Sequence, residues 1–248
     1  MVPEGKYPFV SEERSVGHIT MCCTSNAVGE ALPPFIILPL ILNLPDELTK
    51  FQSQCYFVSS PSGWMTSRIF TIWSIFFAAE MAKRRLALRS IYGESIKDSP
   101  CFLFLDGHKS RLNSTAIEIL YTNNIRVIIL PSHSSHITQP FDVALAAPFK
   151  SYLSSQSFKI PAWLKSKLDL MHKAAQNRYL MVITIIDAWK RASTTLNIKS
   201  SWEKTGLYPF NPSRVLASKY VNPDNNIAAN SQNNTNRRNQ IQINGMEI

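Results

Sequence analysis

Two aspartates in the middle of the chain have the surroundings of metal-binding carboxylates. Asp106 follows the apolar run "CFLFL" at 101–105, and Asp142 follows the polar segment "PSHSSHITQP". A charge at the end of a buried strand must be solvated, paired or bound to a cation. Two carboxylates that meet without a cation repel each other, whereas such oxygen ligands suit Mg²⁺ or Mn²⁺. The pair therefore indicates a divalent-metal site of the kind that promotes phosphodiester cleavage.

Each aspartate also has a simpler interpretation that involves no metal. Asp106, directly after a strand, has the position of a turn or helix-capping residue. Asp142, in the first turn of a helix, has the position of an acidic residue that complements the helix dipole. The residues alone leave these alternatives open.

The elements around the two aspartates predict how they meet. The run 101–105 is typical of a strand buried on both faces, a helix is expected over about 113–124, and the run 125–130 is again typical of a strand. This unit predicts two parallel strands in a covered sheet, joined by a right-handed crossover. A helix that begins around residue 140 places Asp142 in its first turn. Both carboxylates are then expected at the edge where the strands end.

The other periodic segments complete an α/β chain. Residues 18–24 and 35–38 are typical of two strands joined as an antiparallel hairpin. Apolar residues at helical spacing predict a helix that begins at Thr66 or Ser67 and becomes basic toward its C-terminal end. Further helices are expected over about 162–176 and 178–195.

Composition narrows the class of protein and of partner. The 248 residues carry 26 Lys and Arg against 17 Asp and Glu, a formal charge of +9, which favours an acidic partner such as nucleic acid or an anionic membrane face. The longest apolar stretches, 34–42 and 69–79, are shorter than the roughly 20 residues of a membrane span, so no membrane-spanning segment is expected. No secretory signal is apparent, and the four cysteines lack C-x-x-C spacing. We expect them to be reduced, in an intracellular protein.

Several blocks of this sequence together resemble one known family. The blocks, in chain order, are "NAVGEALPPFIILP" at 26–39, "PSGWMTSRIF" at 61–70, "CFLFLDGHKS" through "FKSYL" at 101–153, and "SWEKTGLYPFNP" at 201–212. They resemble the DDE superfamily endonucleases of the pogo, Tigger and jerky group of transposases and transposase-derived proteins. The resemblance covers about residues 10–215.

This resemblance implies a fold, a cofactor and a set of site residues. The fold would be ribonuclease H-like, with a mixed sheet flanked by helices. Asp106 and Asp142 would be the second and third acidic residues of a catalytic triad that binds Mg²⁺ or Mn²⁺. His108 would lie beside them, and Lys109 and Arg111 would contact the phosphates of a DNA partner. The resemblance also implies a nuclear location.

The chain departs from the family at its amino-terminal end. The family's first catalytic Asp and first strand are expected upstream of Glu12, and the opening "MVPEGKYPFVSEER" contains no such Asp. We therefore expect a transposase-derived, amino-terminally truncated DDE-type domain over residues 1–215, with an Asn-rich disordered tail over 221–248. With one of three carboxylates missing, cleavage and strand transfer are expected to be impaired and DNA binding to be retained.

Alternatives stay open for several features. His108 also has the position of a solvated turn residue, and His133 and His136 have H-x-x-H spacing without a clear third zinc ligand. The basic cluster in 83–89 is typical of either a solvated helix face or a phosphate contact. At the level of function, the alternatives are a protein-interaction module without nucleic acid and an active nuclease whose first Asp is encoded upstream. Protein partners and a homo-oligomer also stay open.

Overall fold

The strands fall into two separate small sheets, with helices on both sides. The computed structural model describes residues 18–39, 51, 54–111, 113–155, 165–166 and 168–217. One sheet has the strand order β1-β2-β3 and the other contains β4 and β5. The α/β class is thus confirmed, although the sequence predicted one mixed sheet and the described strands form two. The predicted tail over 221–248 lies outside the described residues.

The first sheet contains the predicted hairpin and one strand that was not predicted. β1 (Thr20–Cys22) pairs antiparallel with β2 (Phe35–Pro39), which confirms the hairpin. β3 (Tyr56–Ser60) pairs with β2 in parallel. The sheet is therefore mixed, and β2 lies in its middle, where all five of its residues are buried.

The second sheet is the predicted strand–helix–strand unit. β4 (Cys101–Leu105) and β5 (Ile125–Ile129) are parallel, and α2 (Ser114–Thr122) connects them. The expectation that β4 is buried on both faces is wrong, because Phe102 is 58% exposed. Helices α1 and α2 cover one face of this two-stranded sheet, and the other face is only partly covered.

The first long helix, α1 (Ser67–Tyr92), begins where the sequence predicted. Thr66 caps it by accepting a hydrogen bond from the Ile69 N–H at 3.2 Å. Its buried face includes Phe70, Trp73 and Phe77 and packs against both sheets. Short 3₁₀ turns follow α1 at Glu94–Asp98 and β4 at Lys109–Arg111.

Several described helices follow β5, and residues such as Phe149 and Ile183 from two of them pack on the face of the first sheet that is opposite α1. They are α3 (Ser135–Thr138), α4 (Ala146–Ser154), α5 (Lys173–Ala192), α6 (Thr195–Thr205) and α7 (Ser213–Leu216), with a π-helical turn at Phe141–Leu145. The predicted helix over 178–195 is wrong in its bounds, because α5 spans Lys173–Ala192 and Thr194 caps α6. Among the described helices, none is long and apolar enough to cross a membrane.

Two cores lie on opposite faces of β2. Phe35 and Ile37 face the core formed with α1, α2 and the second sheet. Ile36 and Leu38 face the core formed with α5. This alternation is the period of two that a strand buried on both faces requires. The resulting layers hold the carboxyl end of β4 beside the start of the π-helical turn.

Candidate metal and nucleic-acid site

Asp106 lies at the end of β4 and is already engaged by two neighbours. Its Oδ1 accepts a hydrogen bond from the His108 N–H at 3.2 Å and forms a salt bridge with the Arg111 guanidinium. The Asp106 side chain is 30% exposed. The carboxylate therefore takes part in a local turn, as the simpler interpretation expected, while it remains accessible from solvent.

Asp142 is the second residue of the π-helical turn that begins at Phe141, as predicted for the first turn of a helix. Phe141 contacts the rings of Phe149 and Trp189, and Leu145 is buried. These apolar anchors hold one side of the turn against the core. Asp142, on the same turn, stays exposed. π-Helical turns occur frequently at functional sites.

The structure brings the two aspartates into electrostatic range of each other. Partial burial raises the pKa of Asp142 above its usual 3.8, and the negative charge of Asp106 raises it further. Lys150 and His136 act in the opposite direction and lower the Asp142 pKa. Asp106 also lines a cleft together with Gln139 and Pro140, which directly precede the turn of Asp142.

The three residues predicted to contact phosphate all lie in the turn after Asp106. His108 is held by Ser110, whose hydroxyl is 2.8 Å from His108 Nδ1 and whose N–H donates to the same nitrogen. Lys109 is exposed, and no acidic side chain among the described residues pairs with it. Arg111 points instead to Asp106. Lys109 is therefore the best placed of the three for a phosphate.

The basic side chains of the α1 cluster at 83–89 already bind other groups of the same chain. Lys83 pairs with Glu80 at 2.6 Å, and Arg84 and Arg89 pair with Glu30 and Glu94. The other cation of the cluster, Arg85, donates to backbone carbonyls. Its acceptors are Asn123 and Asn124, which follow α2, and Ser99, which precedes β4. These contacts favour a structural role for the cluster over a phosphate contact.

The donors at the site suit one weakly held divalent cation. Across the described parts of the chain, no three His, Cys, Asp or Glu side chains gather to form a metal site, so no third ligand of these types joins Asp106 and Asp142 there. Mg²⁺ is commonly held by one or two carboxylates, with water filling the remaining positions. The Asp106–Arg111 salt bridge competes with such an ion. His133 and His136 are not part of any such group.

The sequence did not predict the roles that three neighbours of the site have in the structure. Arg111 was predicted to bind phosphate, and the structure pairs it with Asp106. His136 and Lys150 were not assigned to Asp142, although both influence its pKa. The sequence spacing of these two residues partly indicates that they lie near Asp142, because Lys150 follows Asp142 by two helical turns and His136 precedes it in the same loop.

Comparison with known proteins identifies the family. A family model described as "DDE superfamily endonuclease" matches residues 17–202. Among curated proteins, the chain is similar to one named "MFS-type transporter clz9" from Cochliobolus lunatus, with 26% identity over 200 residues. That match covers 80% of this chain and 20% of the relative, so the chain spans about a fifth of the length of this curated relative. No solved structure matches the chain. Because the family model covers about three quarters of the sequence, the chain belongs to the DDE superfamily endonuclease family.

Proposed function

We propose that this chain binds DNA at the edge marked by Asp106 and Asp142. The observation that supports this most directly is that two carboxylates from distant parts of a DDE-family chain lie within electrostatic range of each other, with Lys109 exposed in the turn that follows one of them. The formal charge of +9 favours a polyanionic partner. The same proposal includes a ribonuclease H-like sheet, membership of the pogo, Tigger and jerky group, and a nuclear location.

The proposed cofactor is one Mg²⁺ or Mn²⁺ held between Asp106 and Asp142. When bound, such an ion supplies positive charge to a phosphate oxygen. The chain's own part is to present two oxygen ligands, to hold them in place with the His108 N–H and the π-helical turn, and to release Asp106 from Arg111. The freed guanidinium then lies close to where a phosphate binds.

We propose that this domain binds DNA better than it cleaves it. Two-metal cleavage needs ligands for two ions. The described residues bring two carboxylates to this edge, and one of them is engaged by an arginine. These donors fit one ion more readily than two, so cleavage is proposed to be weaker than binding.

The salt dependence of DNA binding tests this proposal. Fluorescence anisotropy with a labelled 20-base-pair duplex is measured from about 50 to 200 mM salt, with and without Mg²⁺. Phosphate contacts predict a linear fall of log K with log salt, with a slope near −0.9 for each contact. The Lys109→Ala variant is expected to reduce this slope by about 1.

Lys83→Ala is the matched control, because Lys83 is equally exposed and is paired with Glu80. Its slope is expected to equal that of the unmodified chain. If the chain fails to bind at about 50 mM salt, the proposal is wrong and the protein-interaction module is favoured. Equal slopes for the Lys109 and Lys83 variants would place the DNA contact elsewhere on the chain.

A further inference from the structure

Trp64 presents an aromatic ring at the surface, two residues before the cap of α1. The residue is 57% exposed. The His18 ring stacks on the indole, with the ring centroids 3.5 Å apart and the planes at 9° to each other. One face of the indole is thus covered by His18, and the exposed fraction indicates that the other face is open to solvent. An open indole face is a surface on which another planar group can stack.

The backbone that carries Trp64 is fixed by neighbouring segments. The Trp64 carbonyl accepts a hydrogen bond from the buried Ser60 hydroxyl at 3.1 Å. The Gly63 carbonyl accepts one from the Thr20 hydroxyl at 2.8 Å. Gly63 has a φ of +78° and lies so close to the His18 carbonyl that an added Cβ would collide with it. The indole is therefore positioned before any ligand arrives, which reduces the entropic cost of binding.

A hydrogen bond between α1 and the residue that caps α2 places the stacked pair near the turn after Asp106. The Ser67 carbonyl, in the first turn of α1, accepts from Asn113 Nδ2 at 3.0 Å. Trp64 is three residues from Ser67, and Lys109 is four residues from Asn113. These two spans are at most about 10 and 14 Å long.

The strand β1 provides a second connection to the same turn. Burial raises the pKa of the Cys22 thiol to about 11, and the charges of Arg111 and Asp106 also influence that pKa. Cys22 is therefore within electrostatic range of both side chains. His18 precedes Cys22 by four residues, which span about 13 Å of extended chain. One DNA molecule can therefore contact both the stacked pair and the edge at Asp106.

The segments around the stacked pair favour an anionic ligand. Residues 18–29, 54–79 and 107–117 contain no Asp or Glu. Arg68 lies in the first turn of α1, where the helix dipole disfavours a cation. It is exposed, and none of the described acidic side chains forms a salt bridge with it. Arg68 and Lys109 are thus two available cations near an open aromatic face, the combination that binds single-stranded nucleic acid.

We propose that Trp64, backed by His18, is a stacking platform for an unpaired base of the bound DNA. This role rests on the proposed function and specifies its substrate class, which is duplex DNA that continues into a short single strand. A paired base must first be unstacked before it can reach an aromatic side chain, whereas an unpaired base is available. Arg68 and Lys109 supply positive charge for the phosphates of the same strand. Because every base has an aromatic face, little sequence preference is expected at the platform.

Three labelled DNA probes test this proposal with the full chain. They are a blunt 20-base-pair duplex, the same duplex with six unpaired thymidines added at the 3′ or the 5′ end of one strand, and matching extensions of six abasic nucleotides. Fluorescence anisotropy at about 50 mM salt gives the affinities. The abasic extension keeps the phosphates and lacks the bases. In at least one polarity, the thymidine extension is expected to bind about 5- to 150-fold more tightly than the abasic one.

Substitution of Trp64 assigns this difference to the platform. Trp64→Ala is expected to remove the advantage of thymidine over abasic extensions and to leave the affinity for the blunt duplex within about twofold. Trp64→Phe keeps an aromatic ring and is expected to retain most of the advantage, which separates stacking from damage to the fold. Tyr92→Ala is the matched control, because Tyr92 is a 63% exposed aromatic residue at the other end of α1. It should leave all of the affinities unchanged.

Two results would overturn the platform and leave the proposed function standing. One is equal affinity for thymidine and abasic extensions in both polarities. The other is a Trp64→Ala variant that keeps the full advantage of the thymidine extension. In both cases, salt-dependent binding of the blunt duplex would still support the DNA contact at Lys109. If no probe binds at about 50 mM salt, the proposed function itself is wrong and the platform is rejected with it.

Discussion

At the scale of single residues, the candidate site is a balance of charges. Arg111 neutralises Asp106, while the pKa of Asp142 is raised by burial and by the charge of Asp106. A divalent cation at this position would therefore have to displace the Arg111 guanidinium from Asp106 and, at acidic pH, compete with a proton for Asp142. Both competitors are open to tests by substitution.

Replacing Arg111 is expected to strengthen cation binding. In Arg111→Gln, Asp106 loses its salt bridge, and a partly exposed pair of this kind is worth about 0.2–1 kcal/mol. The affinity for Mn²⁺, measured by titration calorimetry, is expected to rise about 1.4- to 5-fold. Arg214→Gln, which breaks the remote pair with Glu203, is the control and should leave it unchanged. Equal affinities in the two variants would show that Arg111 does not restrain the site.

Replacing Asp142 is expected to change the pH dependence of stability. Because its pKa is raised in the folded chain, the protonated form favours folding. This contribution is complete below the unfolded value of 3.8 and is lost as the pH rises through the folded value. Asparagine does not ionise, so Asp142→Asn does not lose this stability. The free energy of unfolding of the variant should therefore increase relative to that of the unmodified chain as the pH rises.

Urea unfolding at a series of pH values above 3.8 measures this difference. Asp98→Asn is the control, because Asp98 is exposed and precedes β4, whereas Asp106 follows the other end of that strand. Its curve should run parallel to that of the unmodified chain. A parallel curve for Asp142→Asn would contradict the raised pKa.

At the scale of elements, one side chain joins the two helices that cover the second sheet. Asn113 caps α2 by accepting from the Ala116 N–H at 2.8 Å. Its Nδ2 donates to the Ser67 carbonyl at the start of α1, at 3.0 Å. The turn that follows Asp106 is therefore tied to α1 as well as to α2.

Removing this cap is expected to destabilise the chain. Asn113→Ala loses these two hydrogen bonds and the one that its Oδ1 accepts from the Thr71 hydroxyl at 3.4 Å, and it should lower the free energy of unfolding by about 1–2 kcal/mol. Asn113→Ser retains a capping oxygen but not the bond to Ser67, so an intermediate value is expected. Thr122→Ala, which loses hydrogen bonds only within α2, is the control, with an expected cost below about 0.5 kcal/mol. Urea denaturation provides the measurement, and equal losses for Asn113→Ala and Thr122→Ala would refute the role of Asn113.

At the scale of the whole molecule, β2 connects two cores. Ile36 and Ile37 are adjacent, are both 0% exposed, and face opposite layers of helices. If the domain is one cooperative unit, damage to either core must destabilise both.

Truncating either isoleucine tests this cooperativity. Ile36→Ala and Ile37→Ala should each lower the free energy of unfolding by about 2–5 kcal/mol. Each variant should still unfold in one transition, with tryptophan fluorescence and circular dichroism coinciding. An exposed substitution on α1, Leu86→Ala, is the control and should cost little. Two separate transitions would show that the cores are independent units.

The features that were predictable from the sequence depend on residues that are close together along the chain. The cap at Thr66, the start of α2 after Asn113 and the position of Asp142 in a first turn follow from residue types a few positions apart. The parallel pairing of β4 with β5 follows from the helix between them. The strand β3 was missed because its short run of three apolar residues followed by two serines carries a weak periodic signal.

The amino-acid sequence by itself determined most of the local elements, the family and the choice of two candidate aspartates, because capping, alternation and motif order act over short stretches of chain. Only the tertiary structure decided that Arg111 forms a salt bridge with Asp106 and that Lys150 and His136 influence the pKa of Asp142. These features depend on which distant surfaces pack together. That packing is set by burial of the whole apolar surface, which no local pattern contains.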